Sequence, residues 1–364
     1  MADTNFQLGW TEAQWSKVNS AITEEFTKAS VAGACLPCYG PVGASMETVS
    51  RQTVNYTSLM IPSASTISVA DNDTTSFWTI RTYVYLNSQQ VADENLSSAL
   101  FAFRRAANIL ARSEDSIVFV GHDDVSPPAG ALQIPMGSAT AIPLLTWSKP
   151  TGRDDVVANT PFLSRGLLTV RNDNTKHFTV ARQARGANIP DDFGENLVAE
   201  ISRAIGALEK DGYPGPFACV LGQTAFVEAH RPSTSSLVLP ADRITPMLGG
   251  PLLRSSKLPK RHGVVASACG EALDIVVATP PKAQFLQVDA NAKYVFRVYE
   301  RFVLRIKDPN AVVSISLDEI EEETAARKKA AKEKVAREKA ARTKAAKAYE
   351  ILGQAGITST LLRT

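Results

Sequence analysis

The chain of 364 residues carries 39 Lys and Arg against 37 Asp and Glu, a net charge of +2, and 44% of its residues are hydrophobic. This composition excludes a disordered or fibrous chain, and the length predicts about two domains with a hydrophobic core. No stretch approaches the roughly 18 uninterrupted apolar residues of a transmembrane helix, and no secretory signal is visible. We therefore expect a cytoplasmic protein without membrane insertion.

The small net charge hides a strongly basic segment. Residues 327–347 hold ten Lys and Arg against two Glu, a net charge of +8, which leaves −6 for the rest of the chain. A mildly acidic body gives no sign of a basic nucleic-acid surface. Nucleic acid is therefore not expected as a partner, except through the basic tail.

The N-terminal region predicts a capped helix over residues 11–28. Thr11 is a suitable N-cap, and Gln14 completes a capping box. A single apolar stripe follows at spacings of three or four residues and consists of Trp15, Val18, Ile22 and Phe26.

Residues 43–87 then change character, because Thr, Ser, Val, Ile and Tyr dominate and Lys is absent. This composition predicts a long β-rich segment, an extended hairpin. From Asp93 through Ser113 the helical period returns and predicts a helix of about 20 residues. A short apolar run, Ser116–Gly121, follows it and is strand-like.

Residues 122–192 are rich in Pro, Thr and Asn with only short apolar runs, which predicts loops and short strands in an insertion. An amphipathic helix over 193–211 and a Gly/Pro turn follow. The remaining predicted elements are strands: Phe217–Leu221, Gly263–Ala268, Leu273–Ala278, which ends in a Pro pair, and Tyr294–Ile306. The folded body is expected to close near Leu317.

The C-terminal tail predicts a helix of another kind. Acidic residues at 318–323 precede the basic run, the order that the helix macrodipole favours. The Lys/Arg and Ala units repeat every five residues, which does not match the roughly 3.6 residues per turn of an α-helix. The alanine pairs therefore wind around the helix axis and form no continuous apolar stripe for a partner helix. We expect a solvated single helix and no coiled coil.

Residues that carry catalytic or metal chemistry are sparse. The four His have no metal-ligand spacing, and His122-Asp123-Asp124, a possible ligand set or acid/base pair, is typical of a turn before two prolines. Cys35 and Cys38 form a Cys-x-x-Cys pair, and the lone Cys219 and Cys269 lie in apolar, strand-like sequence, typical of small core residues. The chain also lacks a phosphate loop and a nucleophile elbow. We expect no catalytic residue, metal or cofactor, and a structural or binding role.

Several strings of the chain, in order, resemble the encapsulins, the shell proteins of bacterial and archaeal nanocompartments. A string near the end of the body, 296–312 (FRVYERFVLRIKDPNAV), is similar to the closing strand of that family and its Asp/His-Pro-x-Ala turn. The supporting strings are YGPVGA at 39–44, EDSIVFVG at 114–121, GPFACVL at 215–221 and GVVAS at 263–267.

The resemblance implies an α+β phage major capsid fold of the Hong Kong 97 type, with peripheral domain, axial domain, extended E-loop and an added C-terminal helical tail. It divides the chain into an N-terminal helix arm (1–42), the E-loop (43–87), the peripheral spine helix (88–122), the axial domain (123–285, with an insertion at about 123–192), peripheral C-terminal strands (286–317) and the tail (318–364). The E-loop would pair with a neighbouring subunit.

The resemblance also assigns two candidate sites. The first is a vertex pore loop made of His230, Arg231, Pro232, Ser233, Thr234, Ser235 and Ser236. Copies of it would form a polar, weakly cationic opening for small solutes. The alternative for this segment is an exposed turn without a gating role.

The second site is the N-terminal helix, whose stripe of Trp15, Val18, Ile22 and Phe26 would help to form a groove for a short apolar C-terminal peptide of a cargo protein. The alternative is that these side chains pack onto the body.

The function implied by the resemblance is a self-assembling icosahedral shell of 60 or more identical subunits around a cargo enzyme, peroxidase-like or ferritin-like, with catalysis in the cargo. A viral or prophage major capsid protein that packages DNA shares the fold and is the alternative; the acidic body favours protein cargo. A third hypothesis is an enzyme such as a peptidase, but the sequence shows no catalytic triad that would support it.

Overall fold

The computed structural model describes residues 8–58, 65–121, 146–148, 166–168, 170, 177–181, 193–232 and 238–317. Met1–Leu317 and Asp318–Thr364 form two separate compact units, and every described residue belongs to the first. The predicted helical tail lies outside the described residues. So does most of the predicted insertion, including His122, Asp123 and Asp124.

The described part of the chain forms seven α-helices and fourteen strands. The helices are α1 (Glu12–Ala29), α2 (Ala32–Cys35), α3 (Ser88–Ala92), α4 (Ser97–Phe119), α5 (Gly194–Lys210), α6 (Gln223–Ala229) and α7 (Pro240–Leu248). The strands are β1 (Cys38–Tyr39), β2 (Thr48–Ser50), β3 (Thr53–Ser58), β4 (Ser65–Ala70), β5 (Thr74–Ser76), β6 (Trp78–Leu86), β7 (Thr146–Ser148), β8 (His177–Val180), β9 (Phe217–Leu221), β10 (Gly249–Arg254), β11 (His262–Ser267), β12 (Leu273–Val288), β13 (Tyr294–Ile306) and β14 (Val312–Leu317). None of these helices is both long and apolar enough to cross a membrane.

The first sheet has the strand order β1-β12-β13-β6-β7, and α1 and α4 cover one of its faces. Alternate residues of β6 and β13 point into this helix-covered core, where Ile80, Phe296 and Phe302 are fully buried against Phe103 of α4 and Ile22 of α1. This alternation of buried and outward side chains is the pattern expected of a half-covered antiparallel sheet.

The second sheet has the order β10-β9-β11-β14-β8 and is buried on both faces. Cys219 and Val265 belong to the core that α5, α6 and α7 cover, whereas Val220 and Val264 belong to the core that also contains the C-terminal end of α4. The spine helix α4 therefore contributes to the core of both sheets.

The segment between β1 and β6 forms an extended hairpin, as predicted. We call residues 44–76 the arm. Its strands pair antiparallel in two successive parts, β2 with β5 and β3 with β4. The two parts meet at a kink where Gln52 has a left-handed φ of 55°. The predicted E-loop also included β6, which instead pairs with β13 inside the first sheet.

The N-terminal helix forms as the sequence predicts. The Thr11 Oγ1 accepts from the Gln14 backbone N–H at 3.3 Å, and the Gln14 side chain accepts from the Thr11 N–H at 2.9 Å. This reciprocal capping box is confirmed, as are the predicted helix α5 and strands β9 and β13.

The spine helix differs from the prediction at both ends. It begins after Leu96, which adopts a left-handed φ of 55°, and the Asp93 carboxylate accepts from the Ser97 N–H at 2.9 Å. It continues through the strand-like run to Phe119, because Ile117, Val118 and Phe119 are buried as part of the helix. A short apolar run fits a buried helix end as well as a strand, and periodicity alone does not separate the two.

Strand β12 also departs from the prediction, since it continues through Pro280 and Pro281 to Val288. Its register with β13 shifts on either side of Thr279, so the prolines lie at a bulge where no ladder bond is required. The predicted boundary at residue 285 therefore falls inside one strand of the first sheet. Strand β14, assigned to the peripheral strands, pairs with β11 in the second sheet.

Candidate assembly and docking surfaces

The base of the arm lies on the outer face of the first sheet, opposite α1 and α4. A small apolar cluster lies there, formed by Phe77, Val276, Ala278 and Val303, with Val42 and Val49 packed against it. Arg301 of β13 donates one guanidinium N–H to the Ala44 carbonyl and another to the Met46 carbonyl at 2.9 Å. The body thus holds the first turn of the arm by its backbone.

A buried ion cluster lies next to this contact. Arg305 donates Nε and Nη2 to the two oxygens of Asp274 at 2.8 and 2.6 Å, and Lys307 Nζ lies 3.2 Å from Asp274 Oδ2. The remaining Nη1 of Arg305 donates to the Ser50 carbonyl at 3.5 Å. The Val54 N–H then donates to the Lys307 carbonyl at 3.0 Å, so the outgoing arm strand is tied to β13 at successive points.

These anchoring residues were not among the sites predicted from the sequence. The signal was present in β13, where Arg297, Arg301 and Arg305 recur at intervals of four and therefore face the same side of a strand. That signal indicates a cationic sheet face, but it does not indicate which of the three arginines contacts the arm.

The four predicted groove residues of α1 lie together on its inner side. Val18 and Ile22 have no exposed surface, and Phe26 is 9% exposed, within the core shared with α4 and the first sheet. Trp15 is half-buried, with its ring centroid 5.1 Å from that of Trp10 and 6.2 Å from that of Phe296. Val18, Ile22 and Phe26 therefore belong to the core and Trp15 packs against its edge, as the packing alternative describes, and the role of these residues in a cargo groove stays a prediction.

The exposed side of α1 is polar, with residues such as Lys17, Ser20 and Glu24. An exposed apolar side chain on the helix side of the first sheet comes instead from α4, where Phe101 is 75% exposed. Arg104 and Arg105, one helical turn further, are exposed and make no ion pair within the described part of the chain. The helical period of the sequence places Phe101 outside the apolar stripe of α4. That position could have indicated that its side chain is exposed.

The predicted pore loop is described only at its beginning, because Ser233, Thr234, Ser235 and Ser236 lie outside the described residues. His230 ends α6, where its Nδ1 lies 2.9 Å from the Phe226 carbonyl oxygen and its ring stacks on Phe226 at 4.2 Å. Arg231 Nη1 lies 3.4 Å from Glu228 Oε1. Pro232 is exposed. The first two loop residues are thus held against α6.

Buried carboxyl groups lie where the end of α4 meets β13 and the segment after α1. Ser30 Oγ donates to Glu114 Oε2 at 2.9 Å, and the N–H groups of Val31 and Ala32 donate to Asp115 at 2.9 and 2.8 Å. Burial, then the charge of Asp115, raises the pKa of Glu114 to about 8. Burial, then the charge of Glu114, raises the pKa of Glu300.

The cysteines all carry free thiols. Burial raises the pKa of the Cys219 thiol to about 12 and also raises that of Cys35, so these two thiols are weak nucleophiles. Cys38 is exposed at the surface, and partial desolvation followed by the charge of Glu114 raises its pKa to about 11. Cys219 is a core residue as predicted. The same expectation for Cys269 is wrong, because β11 ends at Ser267 and leaves Cys269 exposed.

Comparison with known proteins agrees with this architecture. A family described as "encapsulating protein for peroxidase" (Linocin_M18) matches residues 7–138 and 178–303. The chain is 22% identical over 318 residues to the type 1 encapsulin shell protein EncA of Myxococcus xanthus (strain DK1622), which covers 84% of this chain and 92% of that protein.

Solved structures give the same fold at low sequence identity. The virus-like particle from Pyrococcus furiosus superposes with a TM-score of 0.51 at 13% identity, covering 84% of this chain and all of that one. Mycobacterium phage Bobi gives a TM-score of 0.51 at 16% identity, covering 80% and 91%. The α+β fold is therefore the phage capsid fold of the Hong Kong 97 type, and the chain belongs to the family of encapsulin shell proteins.

Proposed function

We propose that this chain is the subunit of an icosahedral shell of 60 or more copies that encloses a cargo enzyme, peroxidase-like or ferritin-like, held by a short C-terminal peptide of that enzyme. The observation that carries the proposal is the arm. It extends from a protomer of capsid fold as a two-stranded hairpin, and isolated two-stranded hairpins are marginally stable in water. A second copy of the chain would supply the missing partner.

The chemistry of the arm supports such pairing. Ile67 and Val69 of β4 are 69% and 52% exposed, although both are apolar and β-branched. Residues 52–70 contain no charged side chain. Natural edge strands that must remain unpaired usually carry charges, so this uncharged segment with exposed apolar side chains is suited to augmentation by another subunit.

For cargo capture we propose a docking surface centred on Phe101, beside the helix α1 to which the family resemblance points. The apolar stripe of α1 is part of the protomer core, whereas Phe101 offers an exposed aromatic anchor. A docking peptide that presents Leu, Ile or Val side chains would cover it. Catalysis belongs to the cargo in this proposal, and the shell contributes enclosure.

For solute entry we propose that residues 230–236 line an opening at the shell vertices. His230 and Arg231 support a polar, weakly cationic lining, and their contacts with α6 would hold the start of the loop in place.

A capsid that packages DNA is the second candidate. The basic residues 327–347, with a net charge of +8, favour it, since a polycation neutralises phosphate. The net charge of −6 on the rest of the chain favours protein cargo instead.

Electron microscopy of the purified full chain, with mass spectrometry and nucleic-acid analysis of what co-purifies, tests the proposal. We expect closed particles of uniform diameter that contain one enzyme. Particles filled with DNA would establish the second candidate, and monodisperse monomers would refute both.

Substitution separates the docking surface from assembly. Phe101→Ser should leave particle diameter unchanged and reduce cargo content at least several-fold, whereas Val227→Ser, at an exposed apolar position of α6, should change neither. Unchanged cargo content in Phe101→Ser particles would refute the docking surface. Deletion of residues 1–28 is a weaker test, because it also removes Val18, Ile22 and Phe26 from the core.

A further inference from the structure

We propose that Arg301 and Arg305 are positioning residues for assembly: they hold the outgoing strand of the arm against β13 and so set the direction in which the arm leaves the protomer. This inference rests on the proposed function, because it gives the arm its role in pairing with a neighbouring subunit. The contacts themselves lie within one protomer.

The contacts follow one another along β13 and along the outgoing strand of the arm. Arg301 binds the carbonyls of Ala44 and Met46, Arg305 binds the carbonyl of Ser50, and the Lys307 carbonyl accepts from the N–H of Val54. Successive positions on β13 and on the residue that follows it thus hold successive positions on the arm. A strand held at three points along about ten residues has a fixed direction, whereas one held at a single point can pivot.

The anchoring groups are themselves held in place. Asp274 takes two of the N–H groups of Arg305 in a bidentate pair, and both side chains are almost fully buried. Because the guanidinium is planar, this pair fixes where its remaining Nη1 points, which is toward Ser50. Arg301 is oriented by its fork on two carbonyls and by the ring of Phe77, 5.8 Å from its Cζ.

All of these bonds reach the backbone of the arm rather than its side chains. The anchors therefore set the path of the chain and leave the side chains of the arm free for a partner. The outer part of the arm cannot provide comparable charged anchors itself, since residues 52–70 carry no charge.

The kink between the anchored residues Ser50 and Val54 is also braced. Arg51 pairs with Asp73 at 3.0 Å, and the Arg51 N–H donates to the Asp73 carbonyl at 2.7 Å. The left-handed Gln52 follows directly. The bend between the two parts of the hairpin is thus tied across its two strands, and the direction set at the base is carried to the outer part.

The matched test compares Arg301→Ala with Arg297→Ala. Arg297 lies four residues away on the same face of β13, but its contacts among the described residues are with Gln284 and the ring of Tyr299. Hydrogen exchange is measured on the Met46, Arg51 and Phe77 amides, whose bonds close the base of the arm. We expect exchange about tenfold faster in Arg301→Ala and unchanged in Arg297→Ala.

The second measurement is the diameter distribution of the assembled full chain by electron microscopy. We expect Arg301→Ala to give a broadened distribution or open particles, and Arg297→Ala to keep the wild-type diameter. Arg301→Lys is included in case the alanine variant does not fold. Lysine keeps the charge but cannot span two carbonyls, so it should also loosen the base.

Equal exchange rates in the Arg301 and Arg297 variants would overturn the anchoring role, even if shells form. Faster exchange with an unchanged diameter distribution would overturn the effect on direction. If the wild-type chain forms no shells at all, the proposed function fails, and the exchange comparison still decides whether Arg301 holds the arm.

Discussion

Burial, and after it the charge of the Glu114 carboxyl on α4, raises the pKa of the Glu300 carboxyl on β13, and both side chains are buried. Ser30 provides a hydrogen bond to Glu114, whereas Glu300 Oε2 has no partner within the described residues. Two buried carboxyl groups without a cation between them are held most easily in the protonated form.

This pair predicts a pH dependence. A carboxyl whose pKa is raised on folding stabilises the protein fully below its unfolded pKa and loses that contribution as pH rises toward the folded pKa. For Glu114 the window runs from about 4.5 to about 8. We expect the thermal midpoint of the wild-type protein to fall between pH 5 and pH 9, measured by differential scanning calorimetry.

Glu300→Gln should reduce that fall. Glutamine keeps the size and a donor but cannot ionise, so the variant should be more stable than wild type at pH 8 and should lose less stability between pH 5 and pH 9. Glu24→Gln, on the exposed side of α1, is the control and should follow the wild-type curve. A Glu300→Gln curve parallel to wild type would contradict the prediction.

The packing of α1 predicts a large cost for truncating its stripe. Ile22→Ala should lower the free energy of unfolding by about 2–5 kcal/mol, because it leaves a cavity in a fully buried site. Thr23→Ala, exposed on the same helix, should cost less than about 0.5 kcal/mol. Denaturant unfolding followed by circular dichroism compares them. A small effect at Ile22 would mean that the stripe is not core and would favour the groove.

A glycine of the YGPVGA string has a direct steric role. Gly40 has φ of 131°, and a Cβ at this position would lie 2.3 Å from the Val277 carbonyl oxygen in β12. Gly40→Ala should therefore lower the free energy of unfolding by more than about 2 kcal/mol, which a lower thermal midpoint would report. Gly43→Ala shares the positive φ, at 114°, but a Cβ there meets nothing within 4 Å, so it should cost about 1 kcal/mol. Equal costs would show that the contact with Val277 is unimportant.

The proposed pore loop gives a functional prediction. Arg231→Glu should change the rate at which small charged substrates reach an enclosed enzyme, slowing anions and speeding cations, without changing particle diameter. Arg203→Glu is the control, since it breaks a similar exposed pair with Glu200 on α5, outside the loop. Turnover by enclosed enzyme with matched anionic and cationic substrates measures the effect. Equal turnover of each substrate in the Arg231→Glu and Arg203→Glu particles would contradict the proposed pore.

Sequence reasoning succeeded where a local signal and the tertiary fold agree. The capping box at Thr11, the period of α5 and the alternation in β13 each specify an element by themselves. The family strings then supplied the fold, which periodicity alone does not determine.

It failed where tertiary contacts decide. The end of α4 is helical because it is buried in the core of both sheets, and β12 passes two prolines because a bulge accommodates them. The apolar stripe of α1 is visible in the sequence, but the sequence does not show that the stripe shares a core with Phe296 and Phe103, and its role in a cargo groove stays a prediction. Likewise, nothing local distinguishes Arg301, which contacts the arm, from Arg297, whose contacts among the described residues are with Gln284 and Tyr299.

The uncharged outer part of the arm, residues 52–70, has a consequence for ionic strength. Since these residues carry no formal charge, pairing between subunits through them has no Coulomb contribution for salt to screen. A Thr/Ser-rich strand also specifies its register weakly, because a shift by two residues exchanges one small polar side chain for another. Alignment between neighbouring subunits would then depend on where each arm starts, and particles should keep the same size from dilute buffer to molar salt.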